Sequence, residues 1–193
     1  INNDPDASDD NRHGTHTGGT VGAIGNNGYG FVGVAWNVTI KPYKFLSGCG
    51  SGFTSNAIRA IDAATAVGVP ILNNSWGGGP FSQALLDSIN AYCASGGLFV
   101  ASAGNNARDT DLTPQYPADY DLDCIISVAA TDSLDALASF SNFGALSVDL
   151  GAPGVSILSA LPYPYTCSGP TVVDYALLSG TSMAAPHVAG AAA

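Results

Sequence analysis

The sequence predicts one α/β domain of three layers, in which a mostly parallel central sheet has helices on both faces. Segments with helical spacing of apolar residues alternate along the chain with short runs of β-branched and other apolar residues. Two of these runs, residues 98–103 and 125–130, are apolar apart from one serine each, which is typical of strands covered on both faces. The length of 193 residues suits one domain with a sizeable core.

Each element is predicted by its own spacing or composition. Small residues after His13 permit a tightly packed helix, which ends before the turn Gly25-Asn26-Asn27-Gly28. Apolar residues at helical spacing predict two further helices, and small residues predict a fourth from Ser182 onward. The predicted helices cover residues 13–24, 55–67, 81–94 and 182 onward, and the predicted strands cover residues 38–45, 69–73, 98–103, 125–130 and 155–158.

Charge and composition exclude several classes of function. Fifteen acidic residues against five basic ones give a net charge of −10, and every acid is Asp. Such a surface, without a Lys/Arg cluster, repels phosphate backbones, so we expect no nucleic-acid partner. The lack of Glu removes the HExxH zinc proteases. No run approaches the roughly 18 apolar residues of a membrane span, so we expect no membrane partner.

The cysteines bear on the compartment. No CxxC spacing occurs among Cys49, Cys93, Cys124 and Cys167, so a zinc cluster is not expected. Their even number fits two disulfides in a secreted protein, and four buried thiols are the alternative. A glycosylation sequon at residues 37–39 agrees with a secreted or vacuolar protein.

Three segments carry candidate chemistry. His13-Gly14-Thr15-His16 and Thr181-Ser182 open two predicted helices, and Ala103-Gly104-Asn105 follows a buried strand. A Ser at a helix N-terminus lies beside free N–H groups that favour a developing anion. A His can serve as its general base, and an Asn can donate its amide. Taken singly, each also has a structural explanation, such as a helix cap for Ser182.

Together these segments resemble the signature segments of the subtilisin-like serine proteases, or subtilases. The order of His before Ser, without Gly-x-Ser-x-Gly, separates the chain from the α/β-hydrolases. The resemblance implies a serine endopeptidase that acts on polypeptide substrates. The segments are, in order, HGTHTGGTVGA (13–23), GNNGYGFVGVA (25–35), NNSWGG (73–78), SAGNN (102–106), YPADYDLDCIISVAATDS (116–133), SFSNFGALSVDLGAPG (139–154) and SGTSMAAPHVAG (179–190).

The resemblance implies roles for individual residues. Ser182 is the expected nucleophile, His13 the expected general base and acid, and Asn105 the expected donor to the oxyanion. The substrate is expected to lie between two walls above the S1 pocket, which receives the side chain on the acyl side of the scissile bond. An uncharged pocket base predicts no strong side-chain preference. The implied substrate-binding residues are Ser75, Trp76 and Gly77 on one wall, Ala103 and Gly104 on the other, and Asn106 and Gln115 near the base.

A structural calcium ion and the cysteine pairing are also implied by the resemblance. The calcium ligands are expected from residues 24–31, namely the carbonyls of Ile24, Tyr29 and Phe31 with a side-chain oxygen of Asn26 or Asn27. If residues 98–103 and 125–130 are neighbouring parallel strands, as in subtilases, Cys93 and Cys124 form a disulfide. Cys49 and Cys167 then form the second pair, and Tyr116–Pro117 matches a position where the peptide bond is cis.

The catalytic Asp of the family has no match in this chain. The Asp residues before His13 lack the preceding apolar strand and the following Gly. We therefore expect residues 1–193 to be part of a subtilase catalytic domain, truncated at both ends, with the Asp and N-terminal strands upstream and no activity of its own. The protein is expected to be a monomer and to have its own propeptide as a partner. The alternative is a non-catalytic binding protein with the subtilase fold. A metal hydrolase that uses His13 and His16 is the third and least favoured hypothesis.

Overall fold

The structure is a computed structural model that describes residues 6–162 and 174–193. Four strands form a parallel sheet, in which each strand pairs with the next strand along the chain, and the last two strands form an antiparallel pair. No helix in these ranges is long and apolar enough to cross a membrane. In chain order the elements are α1 (His13–Gly22), α2 (Thr54–Ala66), β1 (Ile71–Asn74), α3 (Gln83–Ala94), β2 (Leu98–Ser102), β3 (Ile125–Thr131), β4 (Leu150–Pro153), β5 (Ile157–Ala160), β6 (Tyr175–Leu178) and α4 (Thr181–Ala192).

Helices cover both faces of the parallel sheet. On one face α2 and α3 pack together, and Tyr92 of α3 shares a buried cluster with Phe99 of β2. On the other face α4 contacts all four strands and α1 packs on α4, where Val100, Val128 and Ala184 share a second cluster. Because successive residues of a strand point to opposite faces, adjacent Phe99 and Val100 serve different clusters. The predicted three-layer α/β architecture is confirmed.

The predicted strand over residues 38–45 is wrong. That segment is irregular and has no partner strand in the described part of the chain. Pro42 offers no N–H to a ladder, and Ile40 and Lys41 are exposed. The strand predicted over residues 155–158 lies two residues later, as β5, and the sequence missed β4 and β6. The remaining predicted elements are present, with ends that differ by at most two residues.

The predicted disulfide between Cys93 and Cys124 is present. It joins the last turn of α3 to the residue before β3, and its Cα atoms are 5.6 Å apart. As the expectation required, β2 and β3 are parallel neighbours, with Phe99 beside Ile125. The second predicted pair includes Cys167, which lies outside the described residues.

Candidate active site

The candidate site lies where β1 and β2 end. Since these strands are parallel neighbours, their carboxyl ends meet at one edge of the sheet. β1 leads into Ser75-Trp76-Gly77, and β2 leads into Ala103-Gly104-Asn105. The start of α4 reaches the same edge, because the Ser75 hydroxyl donates to the carbonyl oxygen of Ser182 at 2.8 Å. The Ser182 hydroxyl in turn donates to the carbonyl oxygen of Ser75 at 3.2 Å.

Asn105 is held by Thr181, the first residue of α4. The Thr181 N–H and hydroxyl donate to Asn105 Oδ1 at 2.8 and 3.0 Å, and the hydroxyl accepts from the Gly104 N–H at 3.1 Å. With its oxygen engaged, the exposed Asn105 side chain has its two N–H donors left to offer. The N–H groups in the first turn of a helix, Ser182 among them, lack acceptors within the helix. Two kinds of donor therefore meet at the start of α4.

Asn142, whose role the sequence did not reveal, holds residues 103–108 in place after β2. Its fully buried side chain donates to the Ala103 carbonyl at 2.8 Å and accepts from the Asn106 and Arg108 N–H groups at 2.9 and 3.3 Å. Gly104 has a φ of 105°, and a Cβ there would collide with the Asn142 amide. The only signal in the sequence is a polar residue inside SFSNFG, so the role becomes visible only in the folded chain.

His13 is the first residue of α1, the helix that packs on α4. A Cβ on Gly190 would lie 3.0 Å from the Val21 carbonyl oxygen, so the C-terminal halves of the helices are side by side. Val21 and Gly190 lie eight residues after His13 and Ser182, respectively. The two predicted catalytic residues therefore lie on two helices that are in direct contact. Within the described ranges, no hydrogen bond joins the His13 ring to Ser182.

The electrostatic environment favours neutral His13. Burial lowers the pKa of His13, and the nearby Asp9 carboxylate partly offsets that effect. Burial alone would raise the pKa of Asp9, but N–H groups of Arg12, Thr15 and Asn11 donate to its carboxylate, and its pKa is lowered. Burial therefore favours the uncharged imidazole, which is the form that a general base requires.

Gln115 lies between the two walls of the predicted S1 pocket. A Cβ on Gly77 would come within 3.2 Å of Gln115 Nε2, and a Cβ on Gly104 within 3.2 Å of Gln115 Cγ. Arg108 Nη2 donates to Gln115 Oε1 at 3.2 Å and to Asn106 Oδ1 at 2.9 Å. The structure thus brings the two predicted base residues together through Arg108, to which the sequence analysis assigned no role.

The outer wall is anchored by aromatic and backbone contacts. Trp76 packs edge-on against Phe45, with ring centroids 5.0 Å apart, and its indole N–H donates to Asn74 Oδ1 at 3.1 Å. The Gly78 N–H donates to the Tyr116 carbonyl at 2.9 Å. The peptide bond between Tyr116 and Pro117 is cis, as the resemblance implied.

The 24–31 loop offers oxygen donors of a type that calcium accepts, but it contains no carboxylate. Ile24 and Tyr29 are exposed, and Asn27 Oδ1 already accepts the Tyr29 N–H at 3.0 Å. Over residues 6–162 and 174–193, no three His, Cys, Asp or Glu side chains form a group that could hold a metal. The loop therefore fits calcium in the type of ligand atom that it offers, and in no other respect.

Comparison with known proteins gives one consistent result. The model of the subtilase family matches residues 1–193. Subtilisin DY of Bacillus licheniformis is 43% identical over 187 residues, which is 96% of this chain and 64% of that protein. An extracellular protease of Xanthomonas campestris pv. campestris is 39% identical over 193 residues, 94% of this chain and 32% of that protein. The crystal structure of a cold adapted subtilisin-like serine proteinase matches with a TM-score of 0.83 at 40% identity, covering 98% of this chain and 63% of that one. The chain thus spans less than two thirds of the length of each.

Proposed function

The chain belongs to the subtilase family, and on that premise we propose that it is the nucleophile-bearing part of a secreted serine endopeptidase. Its substrates are polypeptides, which lie extended between the Ser75–Gly77 and Ala103–Gly104 walls. Ser182 Oγ attacks the scissile carbonyl carbon while His13 accepts its proton. His13 then protonates the leaving amine, and water hydrolyses the acyl-enzyme. The Asp that orients His13 in this mechanism is not assigned to any carboxylate of the chain.

The orientation of Asn105 is the observation that carries the proposal. An amide presents either its oxygen or its N–H groups, and the two donors of Thr181 leave the N–H groups available. Charge develops on the substrate oxygen only as the tetrahedral intermediate forms. A fixed donor beside the Ser182 N–H therefore stabilises the transition state more than the bound substrate.

The compartment and the state of assembly are part of the proposal. The disulfide between Cys93 and Cys124 supports an oxidising compartment such as the outside of the cell, where disulfides form and persist. One relative bears the name extracellular protease, which supports the same location. We propose that the enzyme acts there as a monomer, after release from its own propeptide.

Calcium binding is proposed for the 24–31 loop, where carbonyl oxygens and an amide oxygen supply hard ligands. The ion has a structural role and takes no part in the chemical steps. A chelator should lower the melting temperature of the full-length protein, and added calcium should restore it while magnesium should not. Identical melting curves with chelator and with calcium would contradict the site.

The test of the function is hydrolysis of a denatured, fluorescently labelled protein by the full-length protein. Ser182→Ala should lower the rate by several orders of magnitude, because it removes the nucleophile. Ser179→Ala is the matched control, since Ser179 is exposed and lies just before α4. Hydrolysis that survives Ser182→Ala would contradict the assignment, and a wild-type protein that binds polypeptides without cleaving them would favour a non-catalytic subtilase.

A further inference from the structure

We propose that Arg108 turns the base of the S1 pocket into a donor surface, which selects an acyl-side side chain that ends in a neutral carbonyl oxygen, glutamine above all. Arg108 is then a positioning residue that acts through Gln115 and Asn106. The inference rests on the proposed function, because only a peptidase has an acyl-side residue to select. It goes beyond the expectation that an uncharged base gives no strong preference.

Arg108 fixes the orientation of the side-chain amides of Gln115 and Asn106. A guanidinium has donors and no acceptor, so each amide that it contacts must present its oxygen. Arg108 Nη2 contacts Gln115 Oε1 and Asn106 Oδ1 at 3.2 and 2.9 Å. The usual ambiguity between amide oxygen and nitrogen is therefore removed at both residues. The NH₂ groups of both side chains are turned away from Arg108.

The second step is the position of the Gln115 amide. The side chain runs from the Gly104 wall, which Cγ approaches, to the Gly77 wall, which Nε2 approaches. It therefore spans the slot between the two walls. A substrate side chain that enters this slot meets the NH₂ group at its end.

The third step is the rigidity of the arrangement. Asp119 Oδ2 accepts the Gln115 N–H at 2.5 Å, so the backbone of Gln115 is tied independently of Arg108. The backbone N–H of Arg108 donates to the buried Asn142 Oδ1. A fixed donor costs less to use than one that must first be ordered.

These steps predict an order of substrates. A glutamine side chain offers a carbonyl oxygen to the fixed NH₂ group. Methionine has nearly the same length but a weakly accepting sulfur, so it leaves the donor without a good partner. Lysine is disfavoured for two reasons. Its ammonium group has no acceptor for the NH₂ group, and it carries the same charge as Arg108.

The experiment uses the full-length protein and peptides that differ only in the acyl-side residue: glutamine, methionine or lysine. We expect kcat/KM for the glutamine peptide to exceed that for the methionine peptide by about tenfold, the value of one hydrogen bond in a partly exposed site. The lysine peptide should be cleaved more slowly than either. Equal kcat/KM for the glutamine and methionine peptides would overturn the inference.

Variants assign the preference to Arg108. Arg108→Met removes the donors and frees both amides to rotate, so the ratio of glutamine to methionine should fall to about one and lysine cleavage should rise. Arg59→Met is the matched control, since Arg59 is exposed on α2, and it should keep the wild-type ratio. If Arg108→Met does not melt cooperatively, Gln115→Met gives the same test, because it removes the terminal donor directly. A wild-type ratio in a folded variant of either kind would overturn the inference.

The outcomes separate this inference from the function on which it rests. A protein that reacts with a fluorophosphonate at Ser182 but cleaves the three peptides equally overturns the selectivity alone. A protein that neither reacts nor cleaves any peptide overturns both.

Discussion

The backbone N–H and the hydroxyl of Thr181 both donate to the side-chain oxygen of Asn105, at 2.8 and 3.0 Å. Thr181 is fully buried and begins the helix that carries Ser182, whereas Asn105 is exposed after β2. The bond therefore ties the candidate oxyanion donor to the candidate nucleophile, across 76 residues of sequence. Because the oxygen is engaged, the NH₂ group is presented outward.

Replacement of Asn105 by Ala should lower kcat by roughly 10²–10³ with little change in KM, because the donor acts on charge present only in the transition state. This size is the one established for subtilisin's own oxyanion-hole asparagine. Steady-state kinetics on the full-length protein measure the change. An unchanged kcat would remove Asn105 from the oxyanion hole.

Thr181→Val is the companion variant for Asn105→Ala. It keeps the shape of the side chain and the backbone donor but removes the hydroxyl, so Asn105 loses one of its two restraints. We expect a fall in kcat of about tenfold, the effect of one hydrogen bond. If the amide is held through Thr181, the two substitutions together should cost less than the product of their separate effects.

The acid limb of the pH profile should respond to Asp9. If His13 is the general base, kcat/KM rises as the free imidazole loses its proton, and the limb follows the pKa of His13. Burial lowers that pKa and the charge of Asp9 raises it. Asp9→Asn removes the charge while keeping an acceptor for α1, so the limb should move to lower pH. Asp87→Asn on α3 is the control. A limb that stays in place or moves to higher pH would contradict the proximity of Asp9 to His13.

The disulfide between Cys93 and Cys124 should stabilise the fold. It closes a loop of 31 residues. On the chain-entropy model, its loss should lower the free energy of unfolding by about 3–4 kcal/mol. Denaturant unfolding of the full-length protein, compared with the Cys93→Ser/Cys124→Ser double variant, measures the difference. Equal midpoints and slopes for the two proteins would show that the bridge contributes nothing to stability.

The sequence predicted the elements that carry their own signal. The apolar runs of β2 and β3 are buried on both faces, and the spacing of α3 directs Leu85, Ile89 and Tyr92 inward. Residues 38–45 have a similar β-branched composition, yet they form no strand in the structure. A strand depends on a partner, which composition does not report. The four-residue β4 shows the converse. It contains Gly151 and Pro153, so its composition gives no strand signal, yet it has a partner in β3.

The motifs predicted which residues form the candidate site, but they did not predict the contacts that orient those residues. Thr181, Asn142 and Arg108 each act through a hydrogen bond. For Thr181 and Asn142 the partner is 76 or 36 residues away, so no local pattern reveals the bond. Arg108 and Gln115 are only seven residues apart, but nothing in that spacing shows that an irregular loop brings them together.

Chemical labelling followed by peptide mapping tests whether Ser182 is the nucleophile. The full-length protein is treated with a fluorophosphonate probe, digested, and analysed by mass spectrometry. We expect one adduct, on Ser182, which forms at the same rate in Ser179→Ala and is absent in Ser182→Ala. An adduct on another residue, or labelling that persists in Ser182→Ala, would contradict this assignment.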